Sequence, residues 1–146
     1  MVNQTITDQV TTSASHRAWI ADGILYHEYV GELTTSAVLD VELKSIQLLK
    51  EQRIQTAPGI VLLKNIDKTN FKLKAADYGK VFAGFDLIKR TSAIWIVGAK
   101  DDVKKSISVI NKIFFGNRMY LVDTLQEAQD AARTLLSSSE PILEKE

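Results

Sequence analysis

The stretch "IVLLKNI", residues 60 to 66, constrains the fold more than any other. A strand with one wet face alternates apolar and polar residues, whereas Ile60 to Leu63 are apolar without a break. Such a strand must be covered on both faces, which places it inside a largely parallel sheet. "SAIWIVG", residues 92 to 98, repeats the signature. Two doubly covered strands require helices above and below them.

The segments between supply those helices. "SAVLDVELKSIQLLKEQR" sets Leu39, Leu43, Ile46 and Leu49 at spacings of four and three. Val38, Val41 and Leu48 widen that stripe, while Asp40, Glu42, Lys44, Gln47 and Lys50 fill the far side. Leu73, Ala76, Val81, Phe82, Phe85 and Ile88 predict a second helix, weakened by Gly79 and Gly84. Val103, Ile107, Ile110 and Phe114 predict a third. Thr124 and Glu127 form a capping box before a fourth, whose inner face is Leu125, Ala128, Ala132 and Leu135. Upstream, "HRAWIADGILYHEYVG" holds two strand-like runs around Asp22-Gly23, a pair suited to the positive φ of a two-residue turn. Opposed residues then sum to 45. Gly31 ends the hairpin, and Thr34 or Thr35 caps the helix that follows. Ala57-Pro58-Gly59 punctuates before the central strand, and "RMYLV" is a short last one.

The order is therefore β-β-α-β-α-β-α-β-α. This is an α/β chain with a mixed, mostly parallel sheet of about five strands and the first strand antiparallel at an edge. Residues 1–15 and 138–146 read as flexible tails around one domain, 16–137.

Eighteen basic residues balance eighteen acidic ones, so the basic excess that phosphate contacts give a nucleic-acid binder is missing. With no cysteine, disulfides and thiol chemistry are excluded. No apolar run approaches the ~20 residues of a membrane span, and no secretory signal opens the chain. The expectation is a cytoplasmic protein with neither nucleic-acid nor membrane partners.

The hairpin leading into "GELT", the "IVLLKNI" strand, the step "AIWIVGAKDD" and the ending "KIFFGNRMYLVDTLQEAQDAARTLL" together resemble the STAS superfamily. They are most similar to its small stand-alone bacterial members of the anti-sigma-factor-antagonist-like kind, over residues 16 to 137. The resemblance implies a β-α superhelix serving as a regulatory or binding module. In the antagonists, a Ser at the start of the second helix is phosphorylated to switch binding to a kinase, within Asp-Ser-Ser/Thr-Gly. The matching stretch here is Asp67-Lys68-Thr69-Asn70-Phe71, lacking the paired hydroxyls and the Gly.

Asp67, Lys68, Thr69 and Asn70 are thus the candidate regulatory loop. A phosphoryl group on Thr69 would sit at a helix N-terminus, where the dipole favours it. The plain alternative, an Asx-type turn with a helix cap, weighs more, because any helix entry prefers these residue types. Asp67 as an aspartyl-phosphate acceptor lacks the paired-acid loop that would hold Mg²⁺ beside it. Lys100, Lys104 and Lys105 crowd the start of the third helix and are a candidate anion site. Against that, Asp101 and Asp102 offer a cap and neutralising charge there. His16 and His27 would lie diagonally on one hairpin face, with Glu28 on the other, so a third metal ligand is missing. Trp19, Trp95, Phe114, Phe115 and Tyr120 read as core rather than as a stacking platform. No catalytic residues, metal or cofactor are assigned. The sequence reads as a non-catalytic module that binds a protein or small ligand, or pairs with a second copy. The alternatives are a carrier whose second helix (Phe82, Phe85) closes over an apolar ligand, and an enzyme whose residues meet in three dimensions.

Overall fold

The structure, a computed structural model, describes residues 15–66, 69–70, 86–112 and 117–138. The chain opens with a hairpin, β1 (Ser15–Ala21) and β2 (Ile24–Val30). Asp22 and Gly23 turn it at φ 54° and 79°, as a two-residue turn with both central residues left-handed requires. The pairing is the expected one: His16 faces Tyr29, Ala18 faces His27 and Trp19 faces Tyr26.

A two-residue strand, β3 (Leu33–Thr34), leads into helix α1 (Thr35–Glu51), with Thr34 as the N-cap. Its hydroxyl accepts the N–H of Ala37 at 3.1 Å. Next comes β4 (Ala57–Lys64). Ala57, Pro58 and Gly59 belong to this strand rather than preceding it. Pro58 has no N–H to give, and it is tolerated because the register against the next strand shifts between Ala57 and Gly59. A second short strand, β5 (Thr69–Asn70), follows. The helix expected over residues 73 to 88 lies mostly outside the described residues, and a helical end at 86–89 leads into β6 (Thr91–Val97). Helix α2 (Asp101–Ile110), strand β7 (Met119–Val122) and helix α3 (Leu125–Ser138) complete the order. The tails expected at 1–15 and 138–146 fall outside the described residues, except for Ser15 in β1 and Ser138 in α3.

Strands β1-β2-β4-β6-β7 form one sheet, antiparallel only at β1–β2. β4 lies at its centre with both faces dry, as its composition requires. Leu63 packs with Tyr29, Val41, Ile94 and Val103 on the face carrying α1 and α2. Ile60 and Leu62 pack with Tyr26, Trp95, Ala128 and Ala132 beneath α3. A third cluster joins Leu25, Ile46, Leu49, Ala57 and Leu87 at the far end of the α1 face. Each fully buried aliphatic, such as Ile60 or Leu49, contributes roughly 1.5–3 kcal/mol of transfer free energy.

Three local expectations change. Leu43, placed on the inner stripe of α1, is 44% exposed. Tyr120, read as core, is 47% exposed on the edge strand, although it stacks on the buried Trp95 with ring centroids 5.8 Å apart. At α3, Thr124 Oγ accepts the Glu127 N–H at 3.1 Å, but the Glu127 carboxylate takes the Thr124 hydroxyl rather than its backbone N–H.

Candidate functional site

Because β2, β4, β6 and β7 run parallel, their C-terminal ends share one edge of the sheet. Three of them leave it the same way. Val30, Lys64 and Val97 are each followed by a left-handed residue: Gly31 at φ 83°, Asn65 at 59° and Gly98 at 88°. Gly98 is doubly required, since a Cβ there would come to 2.3 Å from the Leu63 carbonyl oxygen. The Gly31 N–H donates to the Lys64 carbonyl at 2.9 Å, tying two exits together.

Both candidate clusters meet at this edge. Asp67 and Lys68 lie outside the described residues. Thr69 and Asn70 form β5, which pairs in parallel with Leu33 and Thr34, the strand that caps α1. The backbone at Thr69 is therefore extended, where an Asx-type turn and cap was the plain expectation. β5 also lies against α2, so Thr69 and Asn70 neighbour the helix that carries Lys104 and Lys105. Lys100 itself occupies the N-cap position of α2 without a side-chain cap bond. Asp101 and Asp102 are in the first turn, where they offset the dipole without capping. Lys104 and Lys105 are exposed.

A second polar group stands on the α3 side of the same edge. Glu28 is 7% exposed, and both carboxylate oxygens are taken. Oε1 accepts Arg17 Nε at 2.8 Å, and Oε2 accepts Lys64 Nζ at 2.7 Å. The Lys64 hydrogen bond first, and Arg17 after it, hold the Glu28 carboxyl below the usual carboxylate range against the opposing effect of burial. The Arg17 guanidinium lies 4.4 Å from the centroid of the Trp19 ring, which stacks on Tyr26 at 5.1 Å.

On the opposite side of β2 lies a sealed polar pair. Ser45, wholly buried in α1, has its hydroxyl 3.0 Å from His27 Nε2 and 2.7 Å from the Val41 carbonyl. The single hydroxyl hydrogen goes to the carbonyl, so Nε2 carries the imidazole proton and donates to Ser45. Burial pushes the His27 pKa down to about 4, keeping it neutral. Nucleophilic serine chemistry needs the reverse, a serine donating to an unprotonated nitrogen at an accessible oxygen. This pair is packing, not catalysis. One turn before Ser45, Glu42 is half-buried rather than on the open far side of α1 as its polarity implied, and burial raises its carboxyl to about 7. Burial chiefly, then the Glu42 charge, raises the Tyr29 phenol.

His16 turns instead to Asp40, Nε2 to Oδ2 at 3.5 Å, beside a shallow open depression of ≈ 290 Å³. His16, Arg17, Ala18, Asp40, Val41 and Lys44 line it. It contains an acid and bases but no serine or threonine hydroxyl. Among the described residues, no three His, Asp or Glu side chains are grouped as metal ligands, and no helix is long and apolar enough to cross a membrane.

The sequence reading missed Ser45 and the Arg17–Glu28–Lys64 group. Ser45 was detectable, since Val41, Ser45 and Leu49 form one i, i+4, i+8 row on the inner face of α1. The charged group was less so, because Lys64 comes from a strand about forty residues away.

No family model and no curated protein matches the chain. Among solved structures it is similar to an uncharacterized protein of the DUF3478 family from Shewanella loihica PV-4, described as having a SpoIIAA-like fold. The TM-score is 0.52 at 18% identity, over 82% of this chain and 94% of that one. That likeness is one of fold: the chain has a SpoIIAA-like, that is STAS-like, α/β fold.

Proposed function

We propose that the protein is a non-catalytic regulatory module of the cytoplasm. It engages a protein partner or small ligand through the sheet edge where the parallel strands end. One observation carries this reading: the exit of β4, strand β5 and the start of α2 converge on that edge. Loops held on a rigid scaffold are where binding residues concentrate. The sealed, inverted Ser45–His27 pair offers no serine nucleophile for hydrolysis.

Site-directed photocrosslinking tests the surface. A crosslinking side chain replaces Asp101 at the edge or, as a control, Arg133 on the exposed flank of α3. A partner captured from position 101 and not from 133 is the expected result. Capture from 133 alone would move the binding surface elsewhere. Native mass spectrometry separates the modes of action. A phosphoryl increment abolished by Thr69→Ala marks a switch, whereas an added small-molecule mass marks a ligand carrier.

A further inference from the structure

We propose that Arg17 and Lys64, held in place by Glu28, form a binding site for a dianionic phosphate group. It lies on the α3 side of the same sheet edge, apart from β5 and α2, and does not need either of them.

Exposed Arg and Lys side chains ordinarily wander among rotamers, and an isolated surface ion pair contributes little. These two are pinned. Glu28 projects from β2 beneath them, its side chain 10% exposed, and gives one oxygen to each cation. The guanidinium carbon of Arg17 also lies 4.4 Å from the Trp19 ring centroid, a cation–π contact. Arg17 donates Nε inward to Glu28, which leaves its two terminal nitrogens as a parallel pair facing water. That is the fork that matches an oxyanion bidentately. Lys64 spends one of three N–H donors on Glu28. The side chains stay open to solvent, 66% for Arg17 and 56% for Lys64.

Charge balance points the same way. One cation neutralises Glu28, and the second leaves the group at +1. Among the described residues neither cation pairs with another carboxylate. Helix α3 does not close the group off, since both cationic side chains stay more than half exposed. Two cations on different strands, oriented by a shared carboxylate, form a site whose supporting shell is already built.

The test is an NMR titration of ¹⁵N-labelled protein with inorganic phosphate, with sodium chloride at equal ionic strength as the reference. The reporters are the Arg17 Nε–H and the Trp19 indole N–H. The expected result is a saturable shift of both with phosphate alone. Arg17→Gln and Lys64→Gln should each weaken binding at least about tenfold, and Lys50→Gln, at the exposed end of α1, should leave it unchanged. Unaltered backbone spectra away from the site confirm that each variant is folded. A phosphoserine peptide forms the second arm. Tighter binding than inorganic phosphate assigns the site to a phosphorylated side chain, and equal or weaker binding assigns it to free phosphate. Shifts that do not saturate, that chloride reproduces, or that persist in the Arg17→Gln/Lys64→Gln double variant would overturn the proposal.

Discussion

His27 and Glu28 are adjacent in β2 and equally hidden, each 7% exposed, yet the protein solves their burial in opposite ways. His27 faces α1, where water is excluded, and it stays neutral with one serine for company. Glu28 faces the α3 side near the sheet edge, keeps its charge, and draws in two cations from solvent. Both pKa values fall, one to discard a charge and the other to keep it. A β-strand places successive residues in different dielectric environments, and the chemistry follows the face rather than the neighbour in sequence.

The largest effect that would sharpen this contrast concerns pH. His27 titrates near 4 when folded and near 6.5 when unfolded, so in that window the unfolded chain binds the extra proton and stability rises with pH. Glu42 is raised from 4.5 to about 7, so there the folded chain carries the extra proton and stability falls with pH. The two slopes oppose each other between 4.5 and 6.5, and the wild-type curve is expected to be nearly flat. Glu42→Gln removes one slope. Urea unfolding of that variant should lose about 3 kcal/mol between pH 6.5 and 4, over the 2.5 units separating the His27 values. A Glu42→Gln curve as flat as wild type would break the account of the sealed side.

Next comes the hydrogen bond itself. Ser45→Ala strands a buried imidazole N–H and should cost roughly 1–3 kcal/mol. The double variant His27→Leu/Ser45→Ala, with nothing polar left to satisfy, should recover most of that loss in the same unfolding assay. An additive double variant would mean that the pair does not act as a unit.

The smallest effect is expected on the open side. Lys64→Ala removes a cation that is 56% exposed and should change stability by less than about 1 kcal/mol. Raising salt to 1 M should shrink even that, while leaving the Ser45→Ala penalty intact. A large, salt-insensitive loss at Lys64 would erase the distinction between the two faces.

The sequence made the framework legible where one physical rule acted alone. Asp22-Gly23 sets a two-residue turn and hence the register of the hairpin. The unbroken Ile60–Leu63 run forces the central position of β4. Legibility failed where polarity and position disagree. On a helical wheel Glu42 falls among Leu49, Thr35 and Ile46, but its charge argued for the outside; Leu43 falls beyond that arc, but its apolar chain argued for the inside. Position prevailed in both cases. The pairing of Thr69 and Asn70 with Leu33 and Thr34 was invisible for another reason: it is made by backbone, which any side chains allow. The Arg17–Glu28–Lys64 group joins three strands: the hairpin register sets Arg17 opposite Glu28, but Lys64 comes across the parallel β2–β4 register, which no local pattern encodes.

The placement of α3 has a consequence for biosynthesis. Among the described elements it alone covers the face bearing Ile60, Leu62 and Trp95, and it is the last of them to leave the ribosome. The nascent chain can close its α1 face while still being made, but it carries the other face bare until residues 125 to 138 emerge. Interrupted translation would therefore release a sheet that is adhesive on one side.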